Sequence, residues 1–310
     1  MSESVSISHQ AGRAVTLSLL GNGLAGLAGT VAAIYTISSS PAVVGFLRLS
    51  IGAISLLVLA PLVGGKIKNL LRLLKRPGIW VMAATSASYQ AFFFASVERS
   101  GVATAALVTV GCIPPSAGIV GWLILRERPN KIWFLATTVG VTGLVIRSLS
   151  ELEIGDSKGL LFAIVAGVGI GAYLNAAKIE IRAGGHPMQL PGMAYLLGSL
   201  GLLVIVRADL LAVNWNTKAI GVALFLGVVT MGLANALQIL GMRGITPGVA
   251  ATMMLSDPVA AAILGVVVLG EVLTTQGAIG LALVIIGLAM QSFSPGQELA
   301  NMSTRGRHRT

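Results

Sequence analysis

The chain has 310 residues, of which 55% are hydrophobic and only 10% are charged. Soluble domains carry about 25% charged residues, so a soluble protein is excluded. The net charge of +10 does not indicate nucleic-acid binding, because the Lys and Arg residues are dispersed among apolar runs and form no basic face. The single cysteine, Cys112, excludes an intramolecular disulfide, and the three histidines lie outside the apolar runs. The sequence therefore predicts no metal site and no cofactor.

Ten apolar runs, five in each half of the chain, predict an all-α polytopic membrane protein with ten transmembrane helices. Each run is long enough to cross a bilayer as a helix, which takes about 20 residues, and none shows the period-two alternation of a barrel strand. The first run exceeds the core of a signal peptide, so we expect it to be retained as the first helix. The runs cover residues 13–37, 41–63, 77–97, 101–124 and 131–148, and then 158–180, 187–206, 217–240, 246–269 and 274–292.

The distribution of Lys and Arg predicts the orientation in the membrane. Cytoplasmic loops of membrane proteins accumulate these residues. If the amino terminus is cytoplasmic, that side receives most of the 21 positive residues, including the cluster from Lys66 to Arg76 and the tail from Arg305 to Arg309. The opposite side receives only Arg99, Arg147, Lys158, Arg207 and Lys218. Both termini are therefore predicted to be cytoplasmic.

Residues of the same type recur at an offset of 144 positions, which relates Pro114 to Pro258 and Glu127 to Glu271. We expect the two glutamates, at helix ends on opposite sides, to cap helices or form ion pairs. Duplication of five helices places the second copy upside down, an architecture that secondary transporters use for alternating access. The predicted organisation is a first repeat at 1–149, an extracytoplasmic linker at 150–157, an inverted second repeat at 158–293 and a basic cytoplasmic tail at 294–310.

The end of the second half carries a recognisable pattern. Asp257-Pro258 is followed by Leu269-Gly270-Glu271 and by a glycine-spaced last helix from Gly280 to Gly287. The chain resembles the drug/metabolite transporter superfamily, whose EamA-type domains close in this way. The first half departs from the pattern at Pro114-Pro115 and at Leu125-Arg126-Glu127. The resemblance extends to bacterial amino-acid exporters of the YddG-like branch, and it implies outward transport of amino acids across the bacterial inner (plasma) membrane.

Three prolines and one carboxylate are predicted near the middle of the bilayer. Pro114 and Pro115 lie in the fourth run and Pro258 in the ninth, and a proline inside a helix leaves the carbonyl four residues earlier without its donor. The prolines are either hinges whose freed carbonyls, including that of Met254, face the substrate, or packing kinks. Asp257 needs a solvated cavity, a cation or a proton to offset its burial, unless it is a structural group bonded to the backbone.

Arg48 lies seven residues into the second run, about 10 Å below the predicted outer surface. It either reaches back to that surface or contacts Asp257 or a substrate carboxylate. Other polar side chains at helical spacing predict which faces turn inward, because lipid-facing positions should be apolar. For each of them, the alternative is a hydrogen bond that joins two helices. The candidate lining of a central substrate cavity is Asn22, Tyr89, Gln90, Asn175, Asn235, Gln238, Ser256 and Asp257.

These features favour a secondary transporter with a cavity between the repeats, since the sequence has no Gly-x-x-x-x-Gly-Lys-Ser/Thr motif for ATP binding. A lining with many amides and few charges suits a small neutral or zwitterionic metabolite. The alternatives are an exporter of drugs or lipophilic cations, a channel, and an intramembrane enzyme. An enzyme would need a nucleophile with its base or paired carboxylates, and we expect none.

The sequence indicates no partner beyond a small-molecule substrate and the lipid bilayer. It does not determine the oligomeric state, and a monomer is compatible with it.

Overall fold

The computed structural model describes residues 2–35, 37, 40–149, 156–270 and 272–292. All regular structure in these residues is helical, and they contain no strand. Most of the predicted linker at 150–157, the predicted tail at 294–310 and Glu271 lie outside the described residues.

The first half of the chain folds into five α-helices with short irregular turns. Helix α2 ends in a 3₁₀ turn at Ala60–Val63, another 3₁₀ turn covers Ile67–Asn69, and α4 continues into a π-helical turn at Gly121–Leu125. The helices are α1 (Ser2–Ile34), α2 (Pro41–Leu59), α3 (Leu70–Leu73), α4 (Pro77–Val120) and α5 (Lys131–Ser148).

The second half is built in a similar way from seven helical pieces. A π-helical segment at Phe225–Leu233 joins α8 to α9. The α-helices are α6 (Ser157–Arg182), α7 (Gln189–Leu211), α8 (Thr217–Leu224), α9 (Ala234–Gly241), α10 (Pro247–Met253), α11 (Ser256–Leu269) and α12 (Thr275–Ser292).

Prolines and capping side chains set several of these helix starts. Pro77 and Pro247 occupy the first helical position of α4 and α10, where the missing N–H would have no partner in any case. The side chains of Asp156, Asn216 and Thr246 accept a backbone N–H from the first turn of α6, α8 and α10. The apolar runs thus become helices whose ends coincide with the polar and proline-containing breaks in the sequence.

Helix α4 contains the two helices that the sequence predicts, joined at a kink instead of a loop. The loop was expected at 98–100, whereas the first helix continues through these residues and the break within Pro77–Val120 lies at Gly101. A straight helix of that length would measure about 66 Å, more than twice the hydrocarbon thickness of a bilayer. The direction changes at Gly101, which has φ 74° and ψ 162°, a conformation that is accessible to glycine because it lacks Cβ.

Seven helical stretches of the described residues are long and apolar enough to cross a membrane. Ten had been predicted from the sequence. Helices α1 and α5 are not among the seven, and the predicted third and fourth helices fall within a single stretch. The seven are Ala42–Val63, Pro77–Leu125, Ser157–Arg182, Gln189–Leu211, Thr217–Gly241, Pro247–Val268 and Thr275–Ser292.

Helices from the two halves pack directly against each other. Helix α4 contacts α6, α2 contacts α7, α1 contacts α9 and α11, and α5 contacts α12. The α5–α12 contact depends on glycines, since a Cβ at Gly143 would lie 2.6 Å from the carbonyl oxygen of Gly280. This interdigitation places the inner faces of α2, α4, α6, α7 and α9 around a common interior space.

Candidate functional site

A cavity of about 110 Å³ lies inside the helical assembly. Its walls come from both halves of the chain: α1, α2 and α4 from the first, and α6, α7, the α8–α9 segment and the α10–α11 junction from the second. The charged residues on its lining are Arg48 and Asp257, and the remaining lining groups are neutral. An internal space with a few convergent polar groups is the usual form of a small-molecule site.

The side chains of Arg48 and Asp257 both line this cavity. Arg48 Nε and Asp257 Oδ1 are buried and have no hydrogen-bond partner among the described residues. The two side chains interact electrostatically, but no ion pair within 4.0 Å joins them among the described residues. Two opposite charges therefore line one cavity while each keeps bonding capacity for another group.

The position of Asp257 follows from a break in the helix. Helix α10 ends at Met253 and α11 begins at Ser256, so Asp257 lies in the first turn of α11. The positive end of the helix dipole favours a carboxylate there. The expectation of a free Met254 carbonyl was wrong, because this carbonyl accepts the N–H of Asp257 at 3.0 Å.

A chain of hydrogen bonds forms one wall of the cavity. The Tyr173 hydroxyl donates to the Tyr195 hydroxyl at 3.0 Å, and Tyr195 donates to Asn235 Oδ1 at 2.5 Å. Asn235 Nδ2 then donates to the Met231 carbonyl at 2.9 Å. The two tyrosine rings are stacked, with centroids 6.0 Å apart. These bonds connect α6, α7 and the α8–α9 segment along this wall.

Sequence reasoning did not identify Tyr173 and Tyr195. Both occur in apolar helices with no motif around them, so spacing alone gave no reason to select them. The available signal was rarity: the chain has four tyrosines, and Tyr89, Tyr173 and Tyr195 all line the cavity.

The structure brings six of the predicted site residues to the cavity and places three elsewhere. Asn22 accepts a hydrogen bond from Gln238 at 3.0 Å and lies behind it. Asn175 donates to the carbonyls of Ala117 and Gly171, and Ser256 donates to the Met253 carbonyl, so these two side chains serve helix packing. The residues on the lining are Arg48, Tyr89, Gln90, Asn235, Gln238 and Asp257. Their contact with a substrate stays a prediction.

The predicted hinge prolines occupy different settings. Pro114 and Pro115 lie within α4, which continues as a helix through them. Pro258 is the third residue of α11, where its missing N–H removes no hydrogen bond of that helix. The discontinuity in the second half lies at Met254 and Leu255, just before Pro258. A hinge role for the three prolines stays a prediction.

The carboxyl-terminal end of α6 connects to three neighbouring segments through charged groups. Lys178, which is buried, donates to the carbonyls of Met242 at 2.5 Å and Ile245 at 2.7 Å. Glu180 pairs with Arg76 at 3.0 Å.

The ion pair between Arg182 and Glu127 agrees with the helix-end role expected for Glu127. Burial nevertheless raises the pKa of the Glu127 carboxyl above its usual value, although Arg182 acts in the opposite direction.

The opposite end of α6 carries a simpler arrangement. Asp156 caps the helix by accepting the N–H of Gly159 at 2.7 Å and pairs with Arg99 at 3.0 Å. The hydrogen bond from Gly159, with a further contribution from Arg99, lowers the pKa of Asp156. Among the described residues, no group of three His, Cys, Asp or Glu side chains could hold a metal ion.

Seven apolar helical stretches around a partly polar interior define an integral membrane protein. The chain belongs to the EamA-like transporter family, whose model matches residues 12–149 and again residues 157–293. The two matches support the internal repeat predicted from the 144-residue offset. Membership indicates a membrane transporter of the drug/metabolite superfamily.

Individual relatives agree with this assignment. The chain is 29% identical over 288 residues to "Uncharacterized transporter YwfM" of Bacillus subtilis (strain 168), covering 90% of this chain and 94% of that protein. It is 26% identical over 235 residues to "Uncharacterized protein PA1977" of Pseudomonas aeruginosa, covering 74% and 76%. A solved structure described as "Crystal structure of protein" superposes with a TM-score of 0.75 at 18% identity, over 90% of this chain and 95% of the other. That likeness shows a shared fold.

Proposed function

We propose that the protein is a secondary transporter that exports small neutral or zwitterionic metabolites, foremost amino acids, by alternating access. The observation that carries this proposal is a cavity of about 110 Å³ whose walls come from both family-domain matches. A site at the interface of two inverted repeats becomes accessible from either side when one repeat rocks against the other. The protein would then release substrate without consuming ATP.

The proposed membrane layout is ten helices with both termini in the cytoplasm. Gly101 divides α4 into two parts that are each long enough to span a bilayer. Helices α5 and α12 each have 18 residues and start 144 positions apart, as two copies of one unit would. In this layout the Lys66–Arg76 segment, Glu127 and the end of α6 share the cytoplasmic side of a bacterial plasma membrane.

The cavity lining supports a small polar substrate that carries no net charge. Gln90, Asn235 and Gln238 supply amide groups, and Arg48 with Asp257 supplies opposite charges in equal number. The resemblance to bacterial amino-acid exporters of the YddG-like branch agrees with such a substrate and with outward transport.

An exporter of lipophilic cations is the alternative, and the presence of Asp257 and three tyrosines on one cavity lining is the observation that favours it. Arg48 on the same lining opposes it, because a cationic ligand would approach a guanidinium that no described carboxylate pairs with, in a region of low dielectric constant. A neutral or zwitterionic substrate avoids this repulsion.

Reconstitution of the purified full-length protein tests the proposal. Proteoliposomes loaded with an unlabelled amino acid should take up the labelled form by counterflow, with saturation and with competition by related amino acids. Labelled nucleosides and cationic dyes serve as the comparison panel, and protein-free liposomes give the leak rate. Flux that rises linearly with concentration and shows no competition would indicate a channel and reject the carrier mechanism.

A further inference from the structure

Arg48 and Asp257 are the two charged residues on the cavity lining. Each has polar atoms that can still form hydrogen bonds with a ligand. Both carry a buried polar atom that has no hydrogen-bond partner among the described residues. Removing a charge from water costs free energy that a partner charge or hydrogen bonds must offset. Within the described residues, neither side chain receives such an offset from a direct bond.

Three of the neutral polar groups around them are bonded within the protein. Asn235 is held by Tyr195 and by the Met231 carbonyl, and Gln238 donates to Asn22. The Thr230 hydroxyl donates to the Leu226 carbonyl at 2.7 Å. These groups shape the cavity, whereas the two charged side chains retain the strongest unused donors and acceptors on its surface.

A direct Arg48–Asp257 ion pair would satisfy both charges, but the structure keeps them beyond the 4.0 Å limit of such a pair. A ligand with a single charge would satisfy one of them and leave the other unpaired. A zwitterion satisfies both and adds no net charge to the cavity, so the burial of all four charges is offset together.

We propose that Arg48 binds the carboxylate and Asp257 binds the ammonium group of an α-amino acid, which therefore enters the cavity in one fixed orientation. This rests on the transporter function proposed above and adds to it the two recognition points. The planar guanidinium presents two parallel N–H groups that match a carboxylate, and the acceptor oxygens of Asp257 match an ammonium group. Tyr89 lies in the electrostatic field of Arg48, and no hydrogen bond joins its hydroxyl to another described residue, so this hydroxyl can join the carboxylate contact.

The remaining lining fits the side chain of such an amino acid. Ile113, Ile170, Leu174, Met231 and Met254 contribute apolar surface. The orientation set by the two charges directs a substrate side chain toward this surface, which favours amino acids with apolar side chains.

Competition in counterflow assays tests the two recognition points separately. Labelled L-leucine, L-valine, L-methionine and L-phenylalanine are screened first, and the best-exchanged one is compared with its decarboxylated amine and with its carboxylic acid lacking the amino group. In the wild-type protein each analogue should compete at least about tenfold less well than the amino acid, because each loses one hydrogen-bonded charge contact. Equal competition by the amine or the acid would overturn the proposal.

Substitution of Arg48 should remove the preference for a carboxylate, and substitution of Asp257 should remove the preference for an ammonium group. Arg48→Gln should bring the amine close to the amino acid in affinity while the acid is still rejected, and Asp257→Asn should do the reverse. Arg207→Gln and Asp209→Asn are matched controls, since they make the same changes at exposed positions of α7, and both preferences should persist in them. Retention of both preferences in Arg48→Gln and Asp257→Asn would overturn the proposal.

Two further measurements keep the test decisive. Arg48→Met removes the charge but keeps much of the apolar stem, so it replaces Arg48→Gln if that variant does not fold, and it should lose the preference for a carboxylate. Arg48→Lys preserves the positive charge and should keep that preference. The ligand-induced rise in melting temperature gives affinities for variants that bind but exchange slowly. If no amino acid exchanges while labelled uridine or a cationic dye does, the recognition points are overturned and the transporter function stands. If no solute exchanges at all, the transporter function itself is rejected.

Discussion

Asn130 and Thr274 cap two helices that begin 144 residues apart. Asn130 Oδ1 accepts the N–H of Trp133 at 2.7 Å, and Thr274 Oγ1 accepts the N–H of Gly277 at 3.0 Å. Each cap precedes a helix of 18 residues. The two side chains differ in type but hold the same position in the two halves, so capping follows the repeat even where the residue identity does not.

Loss of either cap should destabilise the protein by a similar amount. Asn130→Ala and Thr274→Ala should each cost about 1 kcal/mol, the usual cost of removing a side-chain N-cap. Unfolding of the detergent-solubilised protein, followed by tryptophan fluorescence, measures the change. Asn214→Ala is the matched control, because Asn214 is exposed in the turn before α8 and its side chain caps no helix. If the free energy of unfolding falls no more in these variants than in the control, the two caps do not stabilise the protein.

The sequence predicted helices best where polar residues or proline mark their ends. The run predicted at 131–148 coincides with α5, and that at 274–292 differs from α12 by one residue. The break expected at 98–100 lies at Gly101, because Glu98, Arg99 and Ser100 continue the first helix up to that residue. Local polarity could not reveal that a single glycine makes the turn.

The sequence predicted the charged residues of the candidate site more accurately than its neutral polar residues. Arg48 and Asp257 are exceptional in apolar runs, since their burial requires a compensating environment. Asn175 and Ser256 have similar spacing, but they bond to backbone carbonyls nearby. Helical periodicity gives the face on which a side chain lies, whereas tertiary contacts decide whether its polar atoms face a cavity or a neighbouring helix.

The orientation in the membrane can be measured with single cysteines. On a Cys112→Ala background, a cysteine replacing Lys68 should be cytoplasmic and one replacing Asn214 should be external, because the Lys66–Arg76 cluster follows the positive-inside rule. Both positions are exposed. A membrane-impermeant maleimide applied to intact cells should label position 214 alone and should label both after permeabilisation. Labelling of position 68 in intact cells would contradict the proposed layout.

The prolines should affect the rate of exchange more than the affinity for substrate. Pro258→Ala supplies an N–H that can share the Met254 carbonyl with the Asp257 N–H, which extends α11 backward toward the break and stiffens it. Pro114→Ala should likewise stiffen α4. We expect exchange to slow by about tenfold, equivalent to about 1.4 kcal/mol in the barrier, with substrate affinity nearly unchanged.

Counterflow rates and ligand-induced melting shifts separate the two quantities. Pro61→Ala is the control, because Pro61 lies in the exposed turn after α2. Wild-type exchange in both Pro114→Ala and Pro258→Ala would assign these prolines to packing alone.

Lys178 should be the most sensitive charged residue at the end of α6. Its ammonium group donates to two carbonyls in the segment that joins α9 to α10, and it is buried. Lys178→Met keeps much of the apolar stem but leaves the Met242 and Ile245 carbonyls without this donor. An unpaired buried polar group costs about 1–3 kcal/mol, a loss that the relief of burying one charge offsets only in part. Lys158→Met makes the same change at an exposed position of the same helix and should leave the free energy of unfolding within about 0.5 kcal/mol of wild type. Denaturant unfolding in detergent measures the free energy of unfolding of both variants. Equal values would show that the Lys178 hydrogen bonds do not stabilise the packing of α6 against the α9–α10 segment.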